Sequence, residues 1–113
     1  ISIDREKKRI GLSIRQLLVA SHILPWSKHP EARLDIRNGL CLSRLHDAAF
    51  DQGLISFDNN LRLLLSNELR QHLSSDAIRA NFVKYAGSPL TLGTEGLAPS
   101  GEYLAVHRKR FAF

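Results

Sequence analysis

Two histidines and an asparagine are the residues whose types and spacing could do chemistry in this 113-residue chain. His22 follows a short apolar run, Asn38 precedes a glycine, and His46 lies in a segment with helical periodicity. A neutral imidazole can accept a proton near pH 7, and its ring nitrogen can bind a divalent ion. Each residue also has an ordinary interpretation, since a histidine can be hydrogen-bonded to backbone and an asparagine before glycine can belong to a turn.

Two strands separated by a loop are predicted around the first two of these residues. The apolar run over residues 17–23 predicts a strand that ends near His22, because Pro25 removes a backbone donor. A polar loop of roughly ten residues follows. Asn38-Gly39 is then a strong turn signal, and residues 40–42 predict a second short strand.

A helix is predicted over residues 44–52, directly after the second strand, and it carries His46. Gly53 is expected to end this helix as the residue just after its C-cap. The apolar residues at i, i+3 and i+4 that predict the buried face are Leu45, Ala48 and Ala49. A strand, a strand and a helix therefore present two imidazoles from one compact unit.

The rest of the chain is predicted to add a hairpin and two helices, giving an α+β fold. Residues 54–58 and 61–65 flank Asn59-Asn60, which tolerate positive φ, so a tight hairpin that extends the central sheet is expected. Capping serines and periodicity predict a helix over residues 77–86 and another after Ser100. The apolar side of the last helix is expected to hold Leu104, His107 and Phe111. Its basic end, residues 108–110, suits the helix dipole without any DNA contact, and a DNA-facing role for this run is the alternative.

Composition bounds the class of protein. With 43% hydrophobic and 24% charged residues, the chain fits one domain over residues 1–113. No apolar run approaches the roughly 20 residues of a membrane helix, so a cytoplasmic protein with no membrane partner is expected. The chain contains no Met, which indicates a fragment of a longer protein with additional domains. Cys41 is the only cysteine, which excludes an intrachain disulfide and a structural zinc site built on two thiolates.

The charge balance favours a polyanionic partner. Sixteen Lys and Arg against eleven Asp and Glu give a net charge of +5, which suits nucleic acid, although a solvated basic surface has the same composition. The basic residues near the two histidines that could grip phosphates are Lys28, Arg33, Arg37 and Arg44. Pairing of the arginines with Asp35 and Asp47 is an equally good explanation.

Three motifs carry a resemblance to a known family. They read ASHILPWS over residues 20–27, NGLCL over residues 38–42 and LHDAAFDQG over residues 45–53. In this order they resemble the HNH endonuclease family, in the branch typical of restriction-like enzymes. The resemblance runs from about residue 17 to about residue 57, and residues 103–111 also look like that branch.

This resemblance implies a ββα-metal core with an added β-hairpin and C-terminal helices. It implies a metal-dependent endonuclease for double-stranded DNA, with a restriction or defence role. His22 would activate water, His46 would bind the divalent ion and Asn38 would fix the loop beside His22. Mg²⁺ is the expected ion, with Mn²⁺, Ni²⁺ or Zn²⁺ as alternatives. Cutting both strands needs two active sites or two visits, so a homodimer is one expected form.

One departure from the family pattern leaves an alternative open. Many members carry Asp or His directly before the first histidine as a second metal ligand, and here that residue is Ser21. Asp47 and Asp51 lie about 100° and about 140° round the helix from His46, so neither shares its direction well. The metal would then be held weakly and with the help of DNA. The alternative hypothesis is a DNA-binding module without catalysis on the same fold. A third hypothesis is a protein-interaction domain.

Overall fold

The fold is described from a computed structural model, which covers residues 15–25, 27–32, 35–90 and 98–113. Within these residues the chain forms two antiparallel hairpins and four α-helices, joined by short 3₁₀ turns. This is an α+β fold of the ββα type with an added hairpin, as expected from the sequence. Arg33, one of the expected phosphate contacts, lies outside the described residues.

The first hairpin confirms the two predicted strands. Strand β1 (Leu18–His22) pairs with β2 (Gly39–Ser43), and the register places His22 opposite Gly39. The turn predicted at Asn38-Gly39 is not a tight turn between strands. The residues before the strand form a 3₁₀ turn, Ile36–Asn38, and Gly39 is already extended with φ −133°.

Helix α1 (Arg44–Asp51) follows β2 without a loop. The Ser43 hydroxyl accepts a hydrogen bond from the backbone N–H of His46 at 3.0 Å and so caps the helix. Gly53 ends the helix in the left-handed region with φ +73°, as predicted.

The predicted apolar face of α1 was wrong at two of its three positions. Leu45 is 50% exposed and Ala48 is exposed, whereas the buried side consists of His46, Ala49 and Phe50. Phe50 is the largest side chain of the helix and packs in the core against Phe57. Because residues four apart share a helix face, burying Phe50 buries His46 as well and turns Leu45 outward.

The second hairpin is separate from the first. Strands β3 (Ile55–Phe57) and β4 (Leu63–Leu65) form their own two-stranded sheet, so the expected extension of the central sheet was wrong. The turn is also wider than predicted. The Asp58 carboxylate accepts hydrogen bonds from the backbone N–H groups of Asn60 and Arg62, at 2.8 and 2.9 Å, and this closes a five-residue loop.

Three further helices complete the described fold. They are α2 (Asn67–Arg70), α3 (Asp76–Asn81) and α4 (Gly101–Arg110). The helix predicted over residues 77–86 ends early and continues as a 3₁₀ turn, Val83–Tyr85. Serines cap α3 and α4 as predicted. In the part of the chain that the structure describes, no helix is long and apolar enough to cross a membrane.

A single core joins these elements. Its members come from both hairpins and from α1, α2 and α4, so α1 is held from several sides. The largest of its fully buried side chains are Phe50, Phe57, Leu42, Ile55 and Leu104. This packing fixes the rotation of α1 about its axis, and that rotation decides which polar residues face the solvent.

Candidate active site

An open cleft of about 470 Å³ lies where the end of β1, the exposed side of α1 and the end of α4 meet. Its polar lining residues are His22, Asp47, Asp51, His107 and Arg110. The aromatic rings of Phe50 and Phe111 line it as well. The cleft therefore combines an imidazole, two carboxylates and a guanidinium on a partly apolar base.

His22 is the last residue of β1, and its ring is exposed in this cleft. Side chains alternate between the two faces of a strand. Ala20 and His22 line the cleft, whereas Ser21 between them is only 2% exposed. The strand thus presents the imidazole to solvent and points the serine hydroxyl into the protein.

Asn38 directly precedes Gly39, the residue that pairs with His22, and it is 1% exposed. Its side-chain oxygen accepts from the backbone N–H of Leu24 at 2.8 Å, and its amide nitrogen donates to the Leu24 carbonyl at 3.2 Å. The Asn38 carbonyl also accepts from the N–H of Ile23 at 3.0 Å. These bonds tie the two residues that follow His22 to the start of β2, which restricts where the His22 ring can lie.

His46 does not join His22 in the cleft. It is 3% exposed and packs on the ring of Phe82, with a centroid distance of 4.9 Å. Its Nε2 donates to the carbonyl of Asn81 at 2.6 Å, because a carbonyl can only accept. Its Nδ1 then accepts from the Ser43 hydroxyl, also at 2.6 Å. Burial lowers the pKa of His46 below its ordinary value, which keeps the ring neutral.

The placement of His46 therefore differs from the one expected for a metal ligand. Both of its ring nitrogens are engaged within the protein, and neither reaches the cleft. The next residue along the helix is turned by about 100° and does reach it. That residue is Asp47, and Asp51 lines the cleft four residues later, about 40° further round the helix.

One comparison with known protein families found a match. Residues 3–58, about half of the chain, match the family described as HNH endonuclease. The chain belongs to the HNH endonuclease family. The family is one of nucleases that act on DNA, generally with a divalent metal ion. No curated protein matches the chain.

The donor set of this HNH domain suits a hard divalent ion. Carboxylate oxygens are the ligands that Mg²⁺ prefers, and it is commonly held by one or two carboxylates while phosphate and water fill its remaining positions. Asp47 and Asp51 meet that requirement. Among the described residues, no group of three or more His, Cys, Asp or Glu side chains is arranged to hold a metal ion. The buried Ser21 contributes no ligand to the cleft.

Three of the four expected phosphate contacts lie outside the cleft. Lys28, Arg37 and Arg44 are exposed, and none of these three lines it. The Arg37 Nε donates to the carbonyl of Ala98 at 3.3 Å. The Arg44 Nε donates to the carbonyl of Gln16 at 3.4 Å. These are long hydrogen bonds at the surface, so the side chains can still turn towards an anion.

Helix α4 brings to the HNH domain two cleft residues that were not predicted as site residues. His107 is 2% exposed, and its ring stacks on Phe50 at 3.8 Å. Its Nε2 donates to the Phe50 carbonyl and its Nδ1 accepts from the Ser56 hydroxyl, both at 2.8 Å. Burial lowers its pKa, so it forms a neutral wall. Arg110 is the second residue, and its basic neighbours Arg108 and Lys109 gave no reason to single it out.

Proposed function

We propose that this HNH domain is a metal-dependent endonuclease for double-stranded DNA, with His22 as the general base and Asp47 and Asp51 as the metal-holding residues. One observation carries the proposal: these three side chains line the same open cleft. An exposed imidazole and a pair of carboxylates are the groups that hydrolysis of a phosphodiester requires on the protein side.

Each residue has a defined part in the proposed reaction. The ring of His22 accepts a proton from the attacking water, the part an imidazole takes in general-base catalysis. Asn38 acts as a positioning residue through its two hydrogen bonds to Leu24. When bound, a divalent ion would neutralise the negative charge that develops on the phosphate and on the leaving oxygen. Phe50 and His107 exclude water from the base of the cleft.

The choice of ion follows from the carboxylates. Oxygen ligands favour Mg²⁺ or Mn²⁺ over softer ions, whereas a site centred on His46 would have favoured Ni²⁺ or Zn²⁺ more strongly. A restriction or defence role remains a prediction from the resemblance of the motifs to the restriction-like branch.

A second candidate function is a DNA-binding module without catalysis. Two observations favour it: the position before His22 holds a buried serine, and the described residues contain no three-ligand cluster. Such a module would bind DNA through the basic surface and leave it intact under every metal.

Nicking of supercoiled plasmid by wild type and by His22→Ala separates the two candidates. EDTA, Mg²⁺, Mn²⁺, Ni²⁺ and Zn²⁺ are tested in turn. We expect nicking only with a divalent ion, and a loss of about 10²- to 10⁴-fold in rate for His22→Ala, as is typical for a general base.

His72→Ala is the matched control, since His72 is another exposed histidine and does not line the cleft. It should nick at the wild-type rate. A gel-shift assay on the same samples gives the second readout. DNA binding without nicking under all four ions would replace the nuclease with the binding module.

A further inference from the structure

Arg110 is a charged residue of the cleft that the proposed mechanism leaves without a role. It belongs to the last turn of α4, outside residues 3–58 that match the family. Of the described residues that line the cleft, it is the one with a permanent positive charge, and the other fixed charges there are Asp47 and Asp51. A cleft with two carboxylates repels a phosphodiester unless cations offset them.

The guanidinium of Arg110 is held by packing rather than by an ion pair. It lies over the ring of Phe111, 4.7 Å from the ring centroid. Among the described residues, no carboxylate lies within ion-pair distance of it. Its N–H donors therefore remain available to an anion that enters the cleft.

The end of α4 is fixed on the end of α1, and this sets the position of Arg110. His107 donates to the Phe50 carbonyl, and Phe111 packs so closely on Gly53 that a methyl group at that glycine would overlap its ring. Gly53 follows Asp51 by two residues. The carboxylates and the guanidinium are thus positioned by the same helix-to-helix contact.

We propose that Arg110 binds a phosphate group of the DNA strand that lies in the cleft. This inference rests on the proposed function for its effect on cleavage, but not for its effect on binding. The guanidinium fork donates to non-bridging phosphate oxygens. Asp47 and Asp51 would hold the divalent ion instead. Neighbouring Arg108 has a structural task instead, since it donates to the Phe57 carbonyl at 2.7 Å and to the Asn59 side chain at 2.9 Å.

The test compares Arg110→Ala and Arg110→Lys with Lys109→Ala, an exposed neighbour on the same helix that does not line the cleft. Cleavage of a short labelled DNA duplex gives kcat and KM in the presence of Mg²⁺. We expect Arg110→Ala to lower kcat/KM by about 10- to 100-fold, as for the loss of a charged hydrogen bond. Arg110→Lys, which keeps the charge but loses the fork, should lie between wild type and Arg110→Ala.

Binding is measured separately in the His22→Ala background, so that cleavage does not consume the duplex. The slope of log Kd against log salt should fall by about 0.9 when Arg110 is replaced by Ala, because one phosphate contact is lost. Since the binding measurement does not require catalysis, it tests the phosphate contact of Arg110 even if the wild type does not cleave DNA.

Two results would overturn the inference. One is an equal effect of Arg110→Ala and Lys109→Ala on both the salt slope and kcat/KM, which would make Arg110 part of a diffuse basic surface. The other is loss of the fold in both Arg110 variants by urea denaturation, which would assign the residue a structural role.

Discussion

The two histidines of the motif occupy opposite kinds of environment. His22 is exposed at the end of β1 and lines the cleft. His46 is buried, and both of its ring nitrogens form short hydrogen bonds, to Ser43 and to the carbonyl of Asn81. One ring lies at the surface of the cleft, while the other connects α1 to α3.

The contrast extends to the residue next to His46, because adjacent residues of a helix point in different directions. His46 and Asp47 are adjacent in sequence but differ by about 100° in direction. The side of α1 that holds Phe50 and His46 is taken up by the core, so Asp47 and Asp51 are left to face the cleft. Whether a motif histidine on a helix can bind a ligand therefore depends on which side of that helix is buried.

Among variants of α1, the largest expected effect is the loss of cleavage in Asp47→Asn. Removing the charge of one of two carboxylates weakens the hold on a divalent ion, so nicking at a fixed Mg²⁺ concentration should fall by about 100-fold or more. Asp51→Asn should act in the same direction. Both variants should keep the free energy of unfolding to within about 1 kcal/mol, since Asp51 is exposed and, within the described residues, Asp47 contributes a helix-dipole interaction alone.

Glu68→Gln is the matched control for these variants, because Glu68 is an exposed acidic residue that does not line the cleft. Wild-type nicking by Asp47→Asn, combined with loss of nicking by a folded His46→Gln variant, would return the metal-binding role to His46.

The next effect is on stability, in His46→Ala. The change leaves the Asn81 carbonyl without its donor and opens a cavity beside Phe82. We expect the free energy of unfolding to fall by about 2–4 kcal/mol. His22→Ala, at an exposed position, should lower it by clearly less than His46→Ala does. Urea denaturation of both variants measures the difference, and equal stabilities would contradict the contrast between the two histidines.

The smallest effect is the pH dependence of stability. Burial lowers the pKa of both His46 and His107 in the folded protein. The unfolded chain therefore binds protons first as the pH falls through about 6.5. Stability should be complete above that pH and should decline below it, by at most about 1.4 kcal/mol per pH unit for each histidine.

The urea midpoint between about pH 7.5 and about pH 5.5 measures this decline. The pKa values of Asp35 and Asp58 are lowered by hydrogen bonds from backbone N–H groups, so these carboxylates titrate well below that window. A midpoint that stays constant over the window would show that neither buried ring is kept neutral by the fold.

Local signals in the sequence predicted most of the elements correctly. The strand ending at His22, the strand after Asn38 and the caps at Gly53, Ser75 and Ser100 all depend on neighbouring residues alone. The second hairpin shows the limit of such signals. Asn59-Asn60 suggested a tight turn, but the carboxylate of Asp58 binds two backbone N–H groups further on and selects a wider loop.

The candidate site was only partly predictable. His22 and Asn38 were named from the sequence, and the structure places them next to each other at the end of the hairpin. The sequence favoured His46 over Asp47 as the metal ligand. It does not show which side of α1 is buried, because α1 carries apolar residues on more than one side. Arg110 could not be distinguished from Arg108 and Lys109 by sequence, because the helix dipole accounts for all three basic residues.

The sequence by itself determined the ββα order of elements, the positions of the caps and the family of the chain, because these depend on short-range patterns. Only the tertiary structure decided which residues share the cleft. The rotation of α1 is set by packing of Phe50 against Phe57 and His107. Arg110 reaches the same cleft because α4 docks on the end of α1. These contacts join residues up to 57 positions apart in the chain, and no local pattern contains them.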